Sequence, residues 1–115
     1  MIVGTGIDII EVNRIRRLAE KNSRFIQRIF TPEELSYCIK KRNKYQHLAA
    51  RFAAKEAFFK ALGRRIGWKE VGIVNLSSGK PTLIITAKEP LPFQEAHVSV
   101  SHINDYAAAV VVLEE

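Results

Sequence analysis

The chain has a single cysteine, Cys38, in 115 residues, so no disulfide can form within it. A reducing, cytoplasmic setting is the natural expectation. One cysteine and three histidines do not supply the four spaced ligands of a structural zinc site. No apolar run approaches the roughly 20 residues needed to cross a bilayer. Met1-Ile2-Val3-Gly4 lacks a basic lead-in and is expected to be a strand, not a signal peptide. A Gly-x-x-x-x-Gly-Lys-Ser/Thr phosphate loop is absent, which argues against an ordinary nucleotide triphosphatase. No Gly-x-Ser-x-Gly elbow surrounds Ser99 or Ser101, which argues against a serine nucleophile. Repeats, low-complexity segments and linkers are missing too, so residues 1–115 read as one domain with one core.

What is present is an ordered composition, 47% apolar and 26% charged, with an uneven distribution of charge. Residues 1–65 carry 15 Lys+Arg against 6 Asp+Glu, a balance of +9, while residues 66–115 carry 3 against 6, a balance of −3. The first half must present a basic surface, which suits an acidic protein, a phosphorylated ligand, a nucleic acid or anionic lipid.

Ile2 to Ile10 alternates, with Ile2, Gly4, Gly6, Asp8 and Ile10 on one face, which predicts a strand. Helical spacing follows from Glu11 to about Lys21, with a weak break at Asn22-Ser23. Thr31-Pro32-Glu33-Glu34 has the form of a capping box with proline at the first helical position. Tyr45 to Leu62 is alanine-rich and apolar around much of its circumference, hence a mostly buried helix that Gly63 can end. Val71–Leu76 and Thr82–Thr86 flank a turn, and His97–His102 and Tyr106–Leu113 flank Asn104-Asp105 as a hairpin. The fold class is therefore α+β: a largely antiparallel sheet packed against a long central helix, with N-terminal helices.

Three groups of residues can carry chemistry. Arg14, Arg17, Lys21, Arg24 and Arg28 would form one basic stripe if the helix ran through Ser23, bordered by Leu18 and Phe25. Such a stripe fits an acidic helix, and a solvated face is the plain alternative. Glu56 stands among alanines and aromatics with Lys60 one turn on, and Asp8 shares a strand face with two glycines that let another backbone, a metal or a ligand approach. Magnesium takes one or two carboxylates plus phosphate oxygens and waters, which Asp8 and Glu56 could supply if strand and helix are adjacent. An ordinary helical Glu–Lys pair and an aspartate at a strand end are the plain alternatives. Ser99-Val100-Ser101-His102 could donate to phosphate oxygens or be a polar strand edge. His47 and His97 have no evident partners and read as structural or surface residues.

In order along the chain, Gly6-Ile7-Asp8-Ile9 with Glu11-Val12, Phe30-Thr31-Pro32-Glu33-Glu34, Phe52 through Ala61, Gly79-Lys80-Pro81 and Ser99-Val100-Ser101-His102 resemble the motifs of the short holo-acyl-carrier-protein synthases of the 4′-phosphopantetheinyl transferase superfamily. The resemblance runs nearly end to end. It implies transfer of phosphopantetheine from coenzyme A to a serine of an acidic acyl-carrier protein, in support of fatty acid biosynthesis. It further implies Mg2+ held by Asp8 and Glu56, with Lys60 neutralising phosphate charge. Arg51, Lys55, Gly63, Ser101 and His102 would line the cofactor site. Glu56, directly or through a metal-bound water, would be the general base. Arg14, Arg17, Lys21, Arg24, Phe25 and Arg28 would meet the carrier. The family's homotrimers, with active sites between subunits, would suit so small a chain. Where the family commonly has Gly-Thr-Gly or Gly-Ser-Gly, this chain has Gly63-Arg64-Arg65, whose arginines would add phosphate contacts.

Two rival functions are separable. A nucleic-acid module would interleave exposed aromatics with basic residues on a sheet face, whereas here the arginines lie in a helical segment and the strand half is net acidic. An idle carrier-protein adaptor would not need Asp8, Glu56 and Lys60. Neither nucleic acid nor membrane is therefore an expected partner.

Overall fold

The computed structural model describes residues 1–115. In chain order it contains β1 (Ile2–Glu11), α1 (Val12–Lys21), α2 (Ser23–Ile29), α3 (Pro32–Ile39) and α4 (Lys44–Leu62). A 3-10 turn (Trp68–Glu70), β2 (Val71–Asn75), β3 (Pro81–Ile85), β4 (Glu95–His102) and β5 (Tyr106–Glu114) follow. The strands are all antiparallel but divide into two sheets, β1-β5-β4 and a separate β2-β3 hairpin.

Helix α4 is the centre of the fold, packed on β1 and β5. Its alanines Ala49, Ala50, Ala53, Ala54 and Ala57 are buried, and β5 returns Ala107, Ala109, Val111 and Leu113 from its inner face. β1 contributes Gly4 and Gly6 to the same contact. A Cβ on Gly6 would overlap the carbonyl oxygen of Ala57, and one on Gly4 that of Ala61. Small residues on both sides let strand and helix backbones touch, which large side chains would prevent.

Local signals set the helix ends. The Thr31 hydroxyl accepts from the Glu34 amide at 3.2 Å while Glu34 Oε1 accepts from the Thr31 amide at 2.9 Å, a complete capping box. Gly63 stops α4 in the left-handed region, φ 84°, which costs glycine nothing. α1 has no side-chain cap; its first amide, on Val12, donates instead to the Asp105 carbonyl in the β4–β5 turn at 2.9 Å. Asn22 interrupts the basic helical region. Its backbone is extended (φ −148°, ψ 95°), and its side chain caps α2 by accepting from the Arg24 amide. The single stripe that a helix running through Ser23 would give is thus two stripes on two helices, Arg14, Arg17 and Lys21 on α1 and Arg24 and Arg28 on α2, all exposed.

Candidate functional site

Asp8 lies on the inner face of β1, two residues beyond Gly6, and Glu56 precedes Ala57 on α4. The backbone contact at Gly6 sets the β1 segment of Asp8 against the α4 segment of Glu56, and Lys60, one turn on from Glu56, reaches Asp8 across it. Their side chains are 17% and 18% exposed, and each is held by a cation. Lys60 does not pair with Glu56, as its i+4 spacing suggests. It reaches across to β1, where its ammonium donates to Asp8 Oδ1 at 3.2 Å and to the Ile7 carbonyl at 2.9 Å. One of its three N–H groups stays available, on a side chain that is about half exposed. Glu56 accepts instead from Arg65, one of whose terminal nitrogens stands 3.3 Å from each carboxylate oxygen. Arg65 in turn lies over the rings of Phe59 and Trp68, at 5.2 and 5.3 Å. Two partly buried carboxylates, balanced by exposed cations, are hard oxygen donors suited to Mg2+.

Lys55 was expected at the cofactor site and is found elsewhere. Its side chain is fully buried, and its ammonium donates to Glu34 Oε1 at 2.8 Å, the Trp68 carbonyl at 2.9 Å and the Val71 carbonyl at 2.7 Å. All three donors are spent, so none is left for a ligand. Burial lowers the Lys55 pKa below its usual value, with the Glu34 carboxylate opposing. The other oxygen of Glu34 accepts from the Ile73 amide at 3.0 Å, so this pair ties α3, α4 and β2 together. Sequence reasoning missed Glu34's second role because its partners are remote in the chain; the capping box was the only local signal.

Arg51 is buried on another side of α4, about 140° around the helix from Glu56 at 3.6 residues per turn. Its guanidinium donates to Asn75 and lies 4.4 Å from the Tyr37 ring centre, while its Nε has no partner. There it lines an open cavity of about 610 Å³ with Lys40, Lys41, Tyr37 and Asn75. Three cations against one carboxylate, Glu33, around one hollow suit an anionic ligand. Lys40 and Lys41 are not among the residues the sequence singles out; only the fold brings them beside Arg51.

Ser101 is exposed on the outer face of β4, opposite Ala108 of β5. His102 points the other way: its Nδ1 is 2.8 Å from Gln46 Oε1, and its ring packs against His47. His47 thus has partners after all, His102 and Tyr37. Burial and the neighbouring His102 lower its pKa to about 4. His97 stays at the surface but pairs with Glu114 at 2.7 Å. Phe25 is half-buried against Phe52. Cys38 is buried, and desolvation pushes its thiol up to about 11, which removes it as a nucleophile.

The outer face of the three-stranded sheet is apolar and uncovered. Ile7 and Ile9 are 68% and 66% exposed, and Ile7 is paired with exposed Val110. No helix is long and apolar enough to cross a membrane.

The family model for the 4′-phosphopantetheinyl transferase superfamily matches residues 4–111. A holo-[acyl-carrier-protein] synthase of Geotalea daltonii is 45% identical, covering all of both chains. A crystal structure of a holo-(acyl-carrier-protein) synthase from Bacillus anthracis in complex with CoA (3′,5′-ADP) superposes with a TM-score of 0.84 at 39% identity, covering 100% of this chain and 98% of that one. The Helicobacter pylori synthase in complex with coenzyme A superposes with a TM-score of 0.86 at 28% identity, covering 96% and 99%.

Proposed function

The chain belongs to the holo-[acyl-carrier-protein] synthases of the 4′-phosphopantetheinyl transferase superfamily, and from that premise we propose that it moves the 4′-phosphopantetheine arm of coenzyme A onto a serine of an apo acyl-carrier protein. The observation that carries the reading is the junction of β1 and α4, where Asp8 and Glu56 are gathered with Lys60 and Arg65. Asp8 and Glu56 are the residues that would hold Mg2+, which supplies charge neutralisation at the pyrophosphate and at the leaving oxygen. Lys60, anchored by Ile7 and Asp8, offers its remaining N–H to a phosphate oxygen. Glu56 takes the proton of the carrier serine, directly or through a water. The serine oxygen bonds to the β-phosphorus, the bond from that phosphorus to the bridging oxygen breaks, and adenosine 3′,5′-bisphosphate leaves with that oxygen.

The cavity at Arg51, Lys40 and Lys41 suits the phosphates of coenzyme A, yet it lies on a different side of α4 from Glu56. A homotrimer with active sites between subunits resolves this, since one protomer's Arg51 face can complete a neighbour's carboxylate pair. The uncovered apolar face around Ile7, Ile9 and Val110 gives such an assembly a surface to bury. Ser101 opens onto that face, and Gly63 turns the chain into the arginine loop beside Glu56. Arg14, Arg17 and Lys21 on α1, with Arg24, Phe25 and Arg28 on α2, are the proposed docking residues for the acidic carrier. The enzyme would act in the cytoplasm and support fatty acid biosynthesis.

The test is mass spectrometry of an apo acyl-carrier protein incubated with this chain, coenzyme A and Mg2+. A phosphopantetheine increment is expected with the wild type and its near-complete loss with Asp8→Ala or Glu56→Ala, both still folded by circular dichroism. An unmodified carrier under all conditions overturns the reaction; full modification by either variant overturns the site.

A further inference from the structure

Arg65, two residues beyond the Gly63 that ends α4, neutralises one of the two carboxylates at the proposed metal site. The contact is long for a charge-assisted bond: 3.3 Å to each oxygen from a single nitrogen, against roughly 2.7–2.9 Å for a tight pair. The guanidinium is not pinned by the carboxylate. Its position comes mainly from below, from the Phe59 and Trp68 rings. Trp68 is itself fixed, stacked on Phe52 at 5.3 Å and edge-on to Phe59 at 5.2 Å, with its carbonyl taken by buried Lys55. Arg65 is 61% exposed in its side chain, so a ligand can reach it from solvent. The neighbouring Arg64 is engaged elsewhere, with Glu89 at 3.2 Å.

We propose that Arg65 is a displaceable guard on Glu56: it holds the carboxylate while the site is free, and gives it up to a divalent cation when a phosphate of coenzyme A offers the guanidinium a new partner. The physical ground is competition for one carboxylate. A divalent cation on Glu56 is repelled by a guanidinium at the same oxygens, so metal uptake by the free protein is weakened. Once the pair opens, a planar donor on a rigid aromatic platform becomes free to bind phosphate. Metal and coenzyme A thus help each other bind, and the coupling passes through one side chain.

This inference rests on the proposed site at Asp8 and Glu56, and the experiment separates the two. Mn2+ binding to the free protein is measured by electron paramagnetic resonance for wild type, Arg65→Ala, Arg65→Gln, Glu56→Gln and the Glu56→Gln/Arg65→Ala double variant. Arg65→Gln keeps a polar side chain at this point of the loop and removes the cationic guanidinium, which guards against a loop that merely collapses. Both Arg65 variants should bind Mn2+ about three- to tenfold tighter than wild type. Glu56→Gln should lose the site, and Arg65→Ala should make no difference in that background. Calorimetry should then find that Mn2+ tightens coenzyme A binding several-fold more in wild type than in Arg65→Gln. Unchanged Mn2+ affinity in both Arg65 variants, with Glu56→Gln still defective, overturns the guard and spares the site. Wild-type Mn2+ binding by Glu56→Gln overturns both.

Discussion

Gly6→Ala adds one methyl group at the contact that brings Asp8 to Glu56. The new carbon would overlap the Ala57 carbonyl oxygen and stand 2.8 Å from the Ala61 amide nitrogen and 3.0 Å from the Ala57 carbonyl carbon. All three obstacles are backbone of one helix, so no rotamer change relieves them; β1 must lift away from α4. Overpacking of this kind costs about 1–3 kcal/mol. Working against it, alanine removes about 0.4–1 kcal/mol of unfolded-state entropy. The clash is severe enough to place the cost at its upper end, leaving a net loss of about 2 kcal/mol and a fall in Tm of roughly 6–12 °C. Lifting β1 also stretches the Lys60 bonds to Ile7 and Asp8, now 2.9 and 3.2 Å. A displacement of about 1 Å can cost on the order of 100-fold in rate. Activity should therefore fall far more than the residual folded fraction explains. Thermal denaturation and carrier modification at 20 °C below the variant's Tm measure the two effects separately. A Gly6→Ala protein with wild-type Tm and wild-type turnover would refute the close approach of strand and helix.

Three further outcomes are expected. Lys55→Met leaves Glu34 buried without its cation and should cost about 3–5 kcal/mol in urea denaturation; a loss below about 1 kcal/mol would show that the pair is solvated. Reversing charge at Arg14 and Arg24 together should weaken carrier affinity and flatten its salt dependence, because exposed charges are screened beyond roughly 8 Å at physiological ionic strength; an unchanged affinity and slope would make both arginines bystanders. The His47 pKa of about 4 lies below its unfolded value of 6.5, so native His47 resists the proton that the unfolded chain accepts. Its contribution to stability is complete above pH 6.5 and is lost as pH falls toward 4; Tm against pH should be shallower in that window for His47→Gln, and identical slopes would refute this.

Features written into neighbouring residues were legible in the sequence. Thr31 and Glu34 are three apart and cap each other; Gly63 ends α4; the alternation in β1 puts Gly4, Gly6 and Asp8 on the inner face. Features set by distant residues were not. The i+4 spacing of Glu56 and Lys60 predicts a pair along the helix, but β1 lies close enough for Lys60 to choose Asp8, 52 positions away. Lys55 looks like any helical lysine until Glu34 and two carbonyls enclose it. One basic stripe required the helix to run through Ser23; the sequence marks only a weak break there, and the extended backbone and capping side chain of Asn22 make it a full one. The division of the strands into two sheets depends on packing around α4, which hydrophobic alternation cannot report.

Adjacent residues on α4 thus serve opposite ends. Lys55 and Glu56 differ by about 100° around the helix, so one enters the core as the other meets β1. The buried residue is not idle with respect to the site. Lys55 holds the Trp68 carbonyl, and Trp68 is part of the floor under Arg65, the residue paired with Glu56. The charge environment of Glu56 is therefore fixed partly from beneath, through a lysine no ligand can reach. A substitution at Lys55 would act on the site indirectly, by loosening the platform that Arg65 stands on, and would look catalytic in an activity assay while touching no reacting atom.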